Sequence, residues 1–275
     1  MSNTVVSLIS MGALGILFSV GLAIASKQFH VEADPLVDSI EAVLPGINCG
    51  ACGFAGCRAF AEGVATGKAP TDGCPVGGAE VAAKVAAVLG VEASGKNRRV
   101  AQVLCKGGQN EAPRRAEYHG PVDCRIVHMT QHGDKGCAFG CLGGGTCVEA
   151  CRFDAMRMNE NGLPEIIEDN CTACNACVKA CPRDIIVLAE ERQGVHIRCR
   201  SLAKGKETRS VCSVGCIACR RCEKECPVDA ITVEDNLARI DYELCINCRK
   251  CVAVCPMNTI DEQDGKPIIK KRRAS

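Results

Sequence analysis

One motif restricts what this chain can become. C-x2-C-x2-C-x3-C-P occurs three times, as CTACNACVKACP from Cys171, CIACRRCEKECP from Cys216 and CINCRKCVAVCP from Cys245. Thiolates at that spacing enclose an inorganic cube rather than pack as ordinary side chains, so the folded state must be organised around cofactors. Of 275 residues 24 are Cys, whereas six Phe, two Tyr and no Trp leave little large apolar surface for a conventional core.

Cysteine excess has three physical explanations: disulfides, zinc sites and iron-sulfur clusters. In the two-cluster ferredoxin arrangement, three cysteines of one motif and the fourth of the other hold each 4Fe-4S cluster. By that rule Cys216, Cys219, Cys222 and Cys255 hold one cluster, and Cys245, Cys248, Cys251 and Cys226 hold another. A zinc ribbon needs only two C-x2-C pairs and would leave half of these thiols unused. The apolar segments AITV (230–233) and LARI (237–240) suit short strands, and Pro227 and Pro256 turn the chain beyond the last ligand.

An earlier pair of motifs is irregular. Cys171, Cys174, Cys177 and Cys181 repeat the pattern, but Cys137, Cys141, Cys147 and Cys151 are spaced C-x3-C-x5-C-x3-C, with Arg152 where proline would stand. Gly140 and Gly143 to Gly145 in the enlarged loops would still let the backbone wrap a cube. The crossed rule then groups Cys137, Cys141, Cys147 and Cys181 on one cluster, and Cys171, Cys174, Cys177 and Cys151 on the other.

A further island, Cys49, Cys52, Cys57 and Cys74, stands among small residues (Gly50, Ala51, Gly53, Ala55, Gly56) that allow backbone N–H groups to reach cluster sulfurs. Four thiolates there would hold zinc equally well. These islands leave Cys105, Cys124, Cys199 and Cys212, which are either buried structural thiols or the ligands of a sixth cluster beyond the five. Both readings stay open.

Residues Val5 to Ser26 carry no charge, long enough at about 1.5 Å per residue to cross a hydrocarbon layer of about 30 Å. Ala23-Ile24-Ala25 has the form of a signal cleavage site, but no basic residue precedes the run and Lys27 follows it. The positive-inside rule therefore places the rest of the chain, with every cysteine, on the cytoplasmic side of the cell membrane as a single-pass protein. A formal net charge of +1 argues against nucleic-acid partners.

Other signals are weaker. Ala79 to Leu89 reads as a helix and SGKNRR (94–99) as a linker. Gly90 to Asn97 departs from a phosphate-binding loop at its last position, where Asn97 replaces Ser or Thr, and it too reads as linker. No G-x-G-x-x-G or C-x-x-C-H occurs, so neither a dinucleotide seat nor covalent haem is expected. His30, His119, His128, His132 and His196 are scattered, and structural roles are expected for each. No catalytic acid, base or nucleophile stands out.

The expected architecture is α+β, small and cluster-stapled. It comprises a transmembrane anchor (1–30), a helical single-cluster domain (31–90), a linker and connecting segment (91–136), an irregular two-cluster ferredoxin-like module with an extension (137–212), a two-cluster ferredoxin module (213–265) and a basic tail (266–275).

The order of these parts resembles the RnfB family, also called RsxB, of Rnf complexes. The resemblance spans nearly the whole chain. It is carried by the apolar N-terminus, LPGINCGACGFAGC with Cys74, GCAFGCLGGGTCVEAC and the later cysteine motifs. The first island is also similar to the cluster domain of corrinoid iron-sulfur proteins. Membership implies one component of a membrane-bound ferredoxin:NAD oxidoreductase, a translocase whose electron flow drives sodium ions or protons. It implies reduced ferredoxin as the electron donor, other membrane subunits as partners, and flavin and NAD chemistry in those partners. The C-terminal module is the expected point of electron entry, with Arg220, Arg221, Lys224, Arg249, Lys250 and the tail Lys270 to Arg273 as steering charges or as ordinary solvated surface. Two other readings stay open: keeping a redox-sensing transcription factor reduced, and serving as the ferredoxin-like subunit of a hydrogenase or formate dehydrogenase.

Prepared without air, the chain is expected to be brown and to develop an EPR signal on adding dithionite. A zinc scaffold would be colourless, and a disulfide protein would contain no metal.

Overall fold

A computed structural model describes residues 3–28, 34–92, 97–130, 132–263 and 265–269. His30, the tail Lys270 to Arg273 and part of the polar stretch 94–99 lie outside the described residues. Helix α1 (Asn3–Gln28) is apolar all round, and Leu8, Leu14, Phe18 and Leu22 expose more than half of their surface. Within it, Ser7–Gln28 is long and apolar enough to cross a membrane. A helix without a polar face has no reason to stay in water.

The next unit is helical. α2 (Pro35–Val43) begins with Pro35 in the first turn and the Asp34 carboxylate accepting the Leu36 N–H at 2.9 Å, which satisfies a donor the helix cannot. α3 (Cys57–Ala65) and α4 (Gly78–Leu89) pack with it around Ile40, Phe60, Val64 and Val85, and α4 closes on Gly90 in the left-handed conformation. Cys52, Cys57 and Cys74 pack against this small core.

The rest of the chain is one pattern used twice. In its first copy β1 (Arg99–Val103) leads through α5 (Cys124–Met129) and α6 (Thr146–Glu149) to the hairpin β2 (Met156–Met158) and β3 (Pro164–Ile166). α7 (Ala176–Ala180) and β4 (Ile186–Glu190) complete it. In its second copy β5 (Val195–Ile197) leads through α8 (Gly205–Val211) and α9 (Arg221–Lys224) to the hairpin β6 (Ile231–Glu234) and β7 (Leu237–Ile240). α10 (Lys250–Ala253) and β8 (Ile260–Glu262) follow. In each copy the outer strands pair antiparallel, β1 with β4 and β5 with β8, and the inner hairpin makes a second two-stranded sheet.

The modules therefore begin earlier than the cysteine motifs suggest. The stretch 91–136, expected as a linker and connecting segment, contributes β1, whose Val100 and Ala101 are fully buried opposite Ala189 and Leu188. Likewise β5, expected as an extension of the first module, pairs with the end of the second. A five-residue strand whose partner lies across the whole module leaves no local sign of the pairing. The modules meet along this seam, where Arg198 donates to the Val103 carbonyl at 2.7 Å and Lys106 pairs with Asp261.

His196 is fully buried in β5. A carbonyl can only accept, so Nε2–H donates to the Gln193 carbonyl at 3.1 Å and Nδ1 accepts from the Tyr242 hydroxyl at 2.7 Å. Burial, reinforced by Arg198, pulls the imidazole down to about 4. The unfolded chain, with histidine near about 6.5, takes up this proton first as pH falls. The contribution of His196 is thus complete above about pH 6.5 and is lost on descent towards its folded value. Between about pH 7 and about pH 5 the thermal midpoint should fall more for the native chain than for His196→Gln; equal falls would assign the acid sensitivity elsewhere.

Candidate metal centres

All 24 cysteines are free thiols. Among the described residues no three Cys, His, Asp or Glu side chains converge as a single ion requires. The thiols stand instead around cavities. Cys216, Cys219, Cys222 and Cys255 surround about 370 Å³ closed by Ile197 and Ile260. Cys151, Cys171, Cys174 and Cys177 surround about 320 Å³ beside Phe153 and Leu188. Cys251 has Cys245, Cys248 and Cys226 as electrostatic neighbours. In all three groups the last cysteine of one motif joins the first three of the other.

The backbone explains why the spacing is strict. Residues on either side of the second ligand adopt positive φ: Ala173 (54°) and Asn175 (68°), Ala218 (52°) and Arg220 (58°), Asn247 (56°) and Arg249 (62°). Two left-handed residues curl the loop around its contents, and the third ligand (Cys177, Cys222 or Cys251) then sits in a short helix. Beyond the fourth ligand, Asp184, Asp229 and Asn258 are again left-handed.

The irregular segment has the same backbone. Gly143 (77°) and Gly145 (73°) take the paired positive φ values, Cys147 sits in α6 and Asp154 (50°) follows Cys151. Cys141, Cys147 and Cys151 are thus the first, third and fourth ligand positions of a regular motif whose second position is Gly144. A Cβ built on Gly144 would lie 3.0 Å from Cys124 Sγ, so a thiol from α5 fills the place of the missing side chain. The Cys124 N–H fixes it there by donating to Thr146 Oγ1 at 2.8 Å. Cys124, Cys141, Cys147 and Cys181 surround about 370 Å³.

The cavity linings differ from two expected groupings. Cys137 does not join Cys141, Cys147 and Cys181, because Cys124 already stands there. Nor do the four leftover cysteines meet: Cys105, Cys199 and Cys212 line a cavity with Cys137 instead. The reassignment left two traces in the sequence, Gly144 in register with the second cysteine of every regular motif, and C-x3-C before both modules (Cys137 to Cys141, Cys212 to Cys216).

In the helical unit, Cys74 has Cys52 and Cys57 as electrostatic neighbours and accepts the Gly77 N–H at 3.4 Å. The Asn48 side-chain oxygen accepts the Cys57 N–H at 2.8 Å, and a Cβ at Gly56 would lie 2.7 Å from that oxygen. Cys49 is partly exposed on the preceding loop.

The surroundings fit 4Fe-4S clusters. Burial and then neighbouring thiols push Cys177 and Cys251 up to about 12, so a thiolate there needs a cationic core to bind. Backbone N–H groups reach sulfur in the modules, from Ala101 to Cys171 at 3.4 Å, Ala230 to Cys226 at 3.2 Å and Thr259 to Cys255 at 3.4 Å. The Arg183 guanidinium lines the Cys124 cavity with buried Nε and Nη1 atoms that have no hydrogen-bond partner, and its electrostatic neighbours are the thiols of Cys137, Cys181, Cys141 and Cys105. A cation whose Nε and Nη1 lack partners among sulfurs matches an anionic thiolate-bound cube.

Comparisons with known proteins agree. An Fe-S cluster family model matches residues 44–76, and models described as 4Fe-4S dicluster domains match 138–188, 170–230 and 215–259. The B subunit of the Na(+)-translocating ferredoxin:NAD(+) oxidoreductase complex of Acetobacterium woodii is 49% identical over 85% of this chain and 70% of its own length. The B subunit of the ion-translocating oxidoreductase complex of Methanosarcina acetivorans is 45% identical over 88% of this chain and 92% of its own. The B subunit of the proton-translocating ferredoxin:NAD(+) oxidoreductase complex of Clostridium ljungdahlii is 43% identical over 89% and 86%. With multiple 4Fe-4S sites and relatives of this closeness over most of its length, the chain belongs to the RnfB family of Rnf-type ion-translocating oxidoreductase complexes.

Proposed function

We propose that this protein takes electrons from reduced ferredoxin and relays them into an Rnf-type complex whose other subunits reduce NAD and move sodium ions or protons. The repeated four-thiol cavity, in a chain of this family, is the observation that carries the reading. When bound, a 4Fe-4S cluster supplies a one-electron store with little structural change between its two states. The protein's task is to hold such stores, tune them and keep them close.

Five ligand sets follow from the motifs together with the cavity linings. They are Cys49, Cys52, Cys57 and Cys74; Cys124, Cys141, Cys147 and Cys181; Cys151, Cys171, Cys174 and Cys177; Cys216, Cys219, Cys222 and Cys255; and Cys226, Cys245, Cys248 and Cys251. Neighbouring N–H donors and apolar walls set the potentials. The anchor α1, with Lys27 in its last turn, holds the helical unit near the bilayer and the modules on the cytoplasmic side.

Entry at the second module is supported by exposure and charge. Cys219 alone among the 24 cysteines is exposed, and Arg220, Arg221, Lys224 and Lys250 are exposed around its motif and the following one. A positive rim around an accessible ligand suits an acidic protein donor, whose association it accelerates without breaking any bond. In the anaerobic complex, Arg221→Glu with Lys224→Glu should slow ferredoxin oxidation by about tenfold at low salt, with the difference shrinking as salt is added. Equal rates at low salt would place ferredoxin elsewhere.

A further inference from the structure

Four cysteines remain outside the motif sets, and their arrangement is too regular for scattered structural thiols. Cys105, Cys137, Cys199 and Cys212 line one cavity, as the motif thiols line theirs. Each module supplies two of them from equivalent places. Cys105 follows the end of β1 and Cys199 follows the end of β5 by the same short step. Cys137 and Cys212 stand before the first motif ligands, Cys141 and Cys216, at the same C-x3-C spacing. The hydrogen bonds repeat as well: the Cys141 N–H donates to Cys105 Sγ and the Cys216 N–H to Cys199 Sγ, both at 3.3 Å.

Two further observations point to a ligand. Glycine is required where the backbone approaches the thiols, since a Cβ at Gly107 would lie 2.8 Å from Cys212 Sγ. Beside the cavity Lys135 is only 7% exposed, and its ammonium donates to the carbonyls of Gly107 and Cys141. Among the described residues no carboxylate pairs with it; Glu111 is a more distant charge, and the thiols of Cys105, Cys141 and Cys212 are its other electrostatic neighbours. A buried ammonium without a paired anion is costly, and four thiols around a void would not relieve that cost unless they carried charge.

We propose that Cys105, Cys137, Cys199 and Cys212 bind a sixth 4Fe-4S cluster that bridges the two modules, with Lys135 as its buried countercharge. The inference rests on reading the motif sites as 4Fe-4S centres and extends it to a site no ferredoxin motif describes. It also joins the paths of the two modules. Thiols of successive sets are electrostatic neighbours from Cys177 to Cys147, Cys141 to Cys105, Cys199 to Cys216, and Cys222 to Cys251. At each step one electron leaves a reduced centre for its oxidised neighbour, and no bond forms or breaks. Without the bridge the modules would be two separate two-centre segments.

The test is iron analysis with EPR redox titration of the anaerobically purified full chain. Six centres require about 24 iron atoms per chain, and Cys105→Ala with Cys199→Ala should lower the count to about 20 while the motif-site signals persist. A native count of about 20, unchanged by the substitutions, would overturn the bridge and leave the motif sites standing; a native chain without iron would overturn both. Should the double variant misfold, Lys135→Met keeps every ligand. Its iron is expected to stay near 24, with the reduction equilibrium of the bridging centre shifted about tenfold towards the oxidised state, ~59 mV for a one-electron couple. An unshifted titration would remove Lys135 from the proposal.

Discussion

The cost of holding charged sulfur away from water is the constraint on which this structure depends. Burial raises Cys141, Cys177, Cys199 and Cys251 to about 12, so none of these positions favours a bare thiolate. The protein part of each module is slight. Its sheets have two strands each, and its largest fully buried side chains include Ile185, Ile186 and Leu237 rather than clustered aromatics. Coordination to metal would take these sulfurs as thiolates and join distant segments, which couples cofactor binding to folding. In the proposed ligand sets, the crossed use of Cys151, Cys181, Cys226 and Cys255 makes each pair of loops interdependent.

What could be read in advance was whatever is local. The regular motifs specify their own backbone, because the ligand spacing and the left-handed residues beside it lie within a few positions of each other. The segments AITV and LARI were equally plain as short strands, and the structure joins them as a hairpin whose turn has Asp235 and Asn236 at positive φ. Cys124 was not plain. It substitutes for a ligand from a different helix, and the only local sign is a glycine, Gly144, where a cysteine is missing. The pairing of β1 with β4 was hidden for the same reason: both strands are short, and what selects them is a contact across the module rather than a pattern within five residues.

The two modules differ in how they close the same plan. The second keeps all its motif ligands and needs only β5 and α8 to position Cys199 and Cys212. The first gives up one motif cysteine and recovers it through α5, at the expense of a longer excursion between Cys105 and Cys137. That excursion also delivers Lys135, and Arg183 approaches the same group of thiols from beyond Cys181. The buried Lys135 ammonium therefore lies where the first module approaches the second, beside Cys105 and Cys212.

The exposure of Cys219 has a chemical consequence of its own. Thiolates are oxidised where oxidants can reach them, and every other cysteine is at least partly covered. Damage by dioxygen should therefore begin at this rim, releasing iron from the centre that Cys219 serves while the others are still intact. Because the proposed ligand sets exchange Cys226 and Cys255 between adjoining loops, decay that starts there would spread to the neighbouring centre like unravelling cloth, and the chain's lifetime in air would be set by its most accessible sulfur.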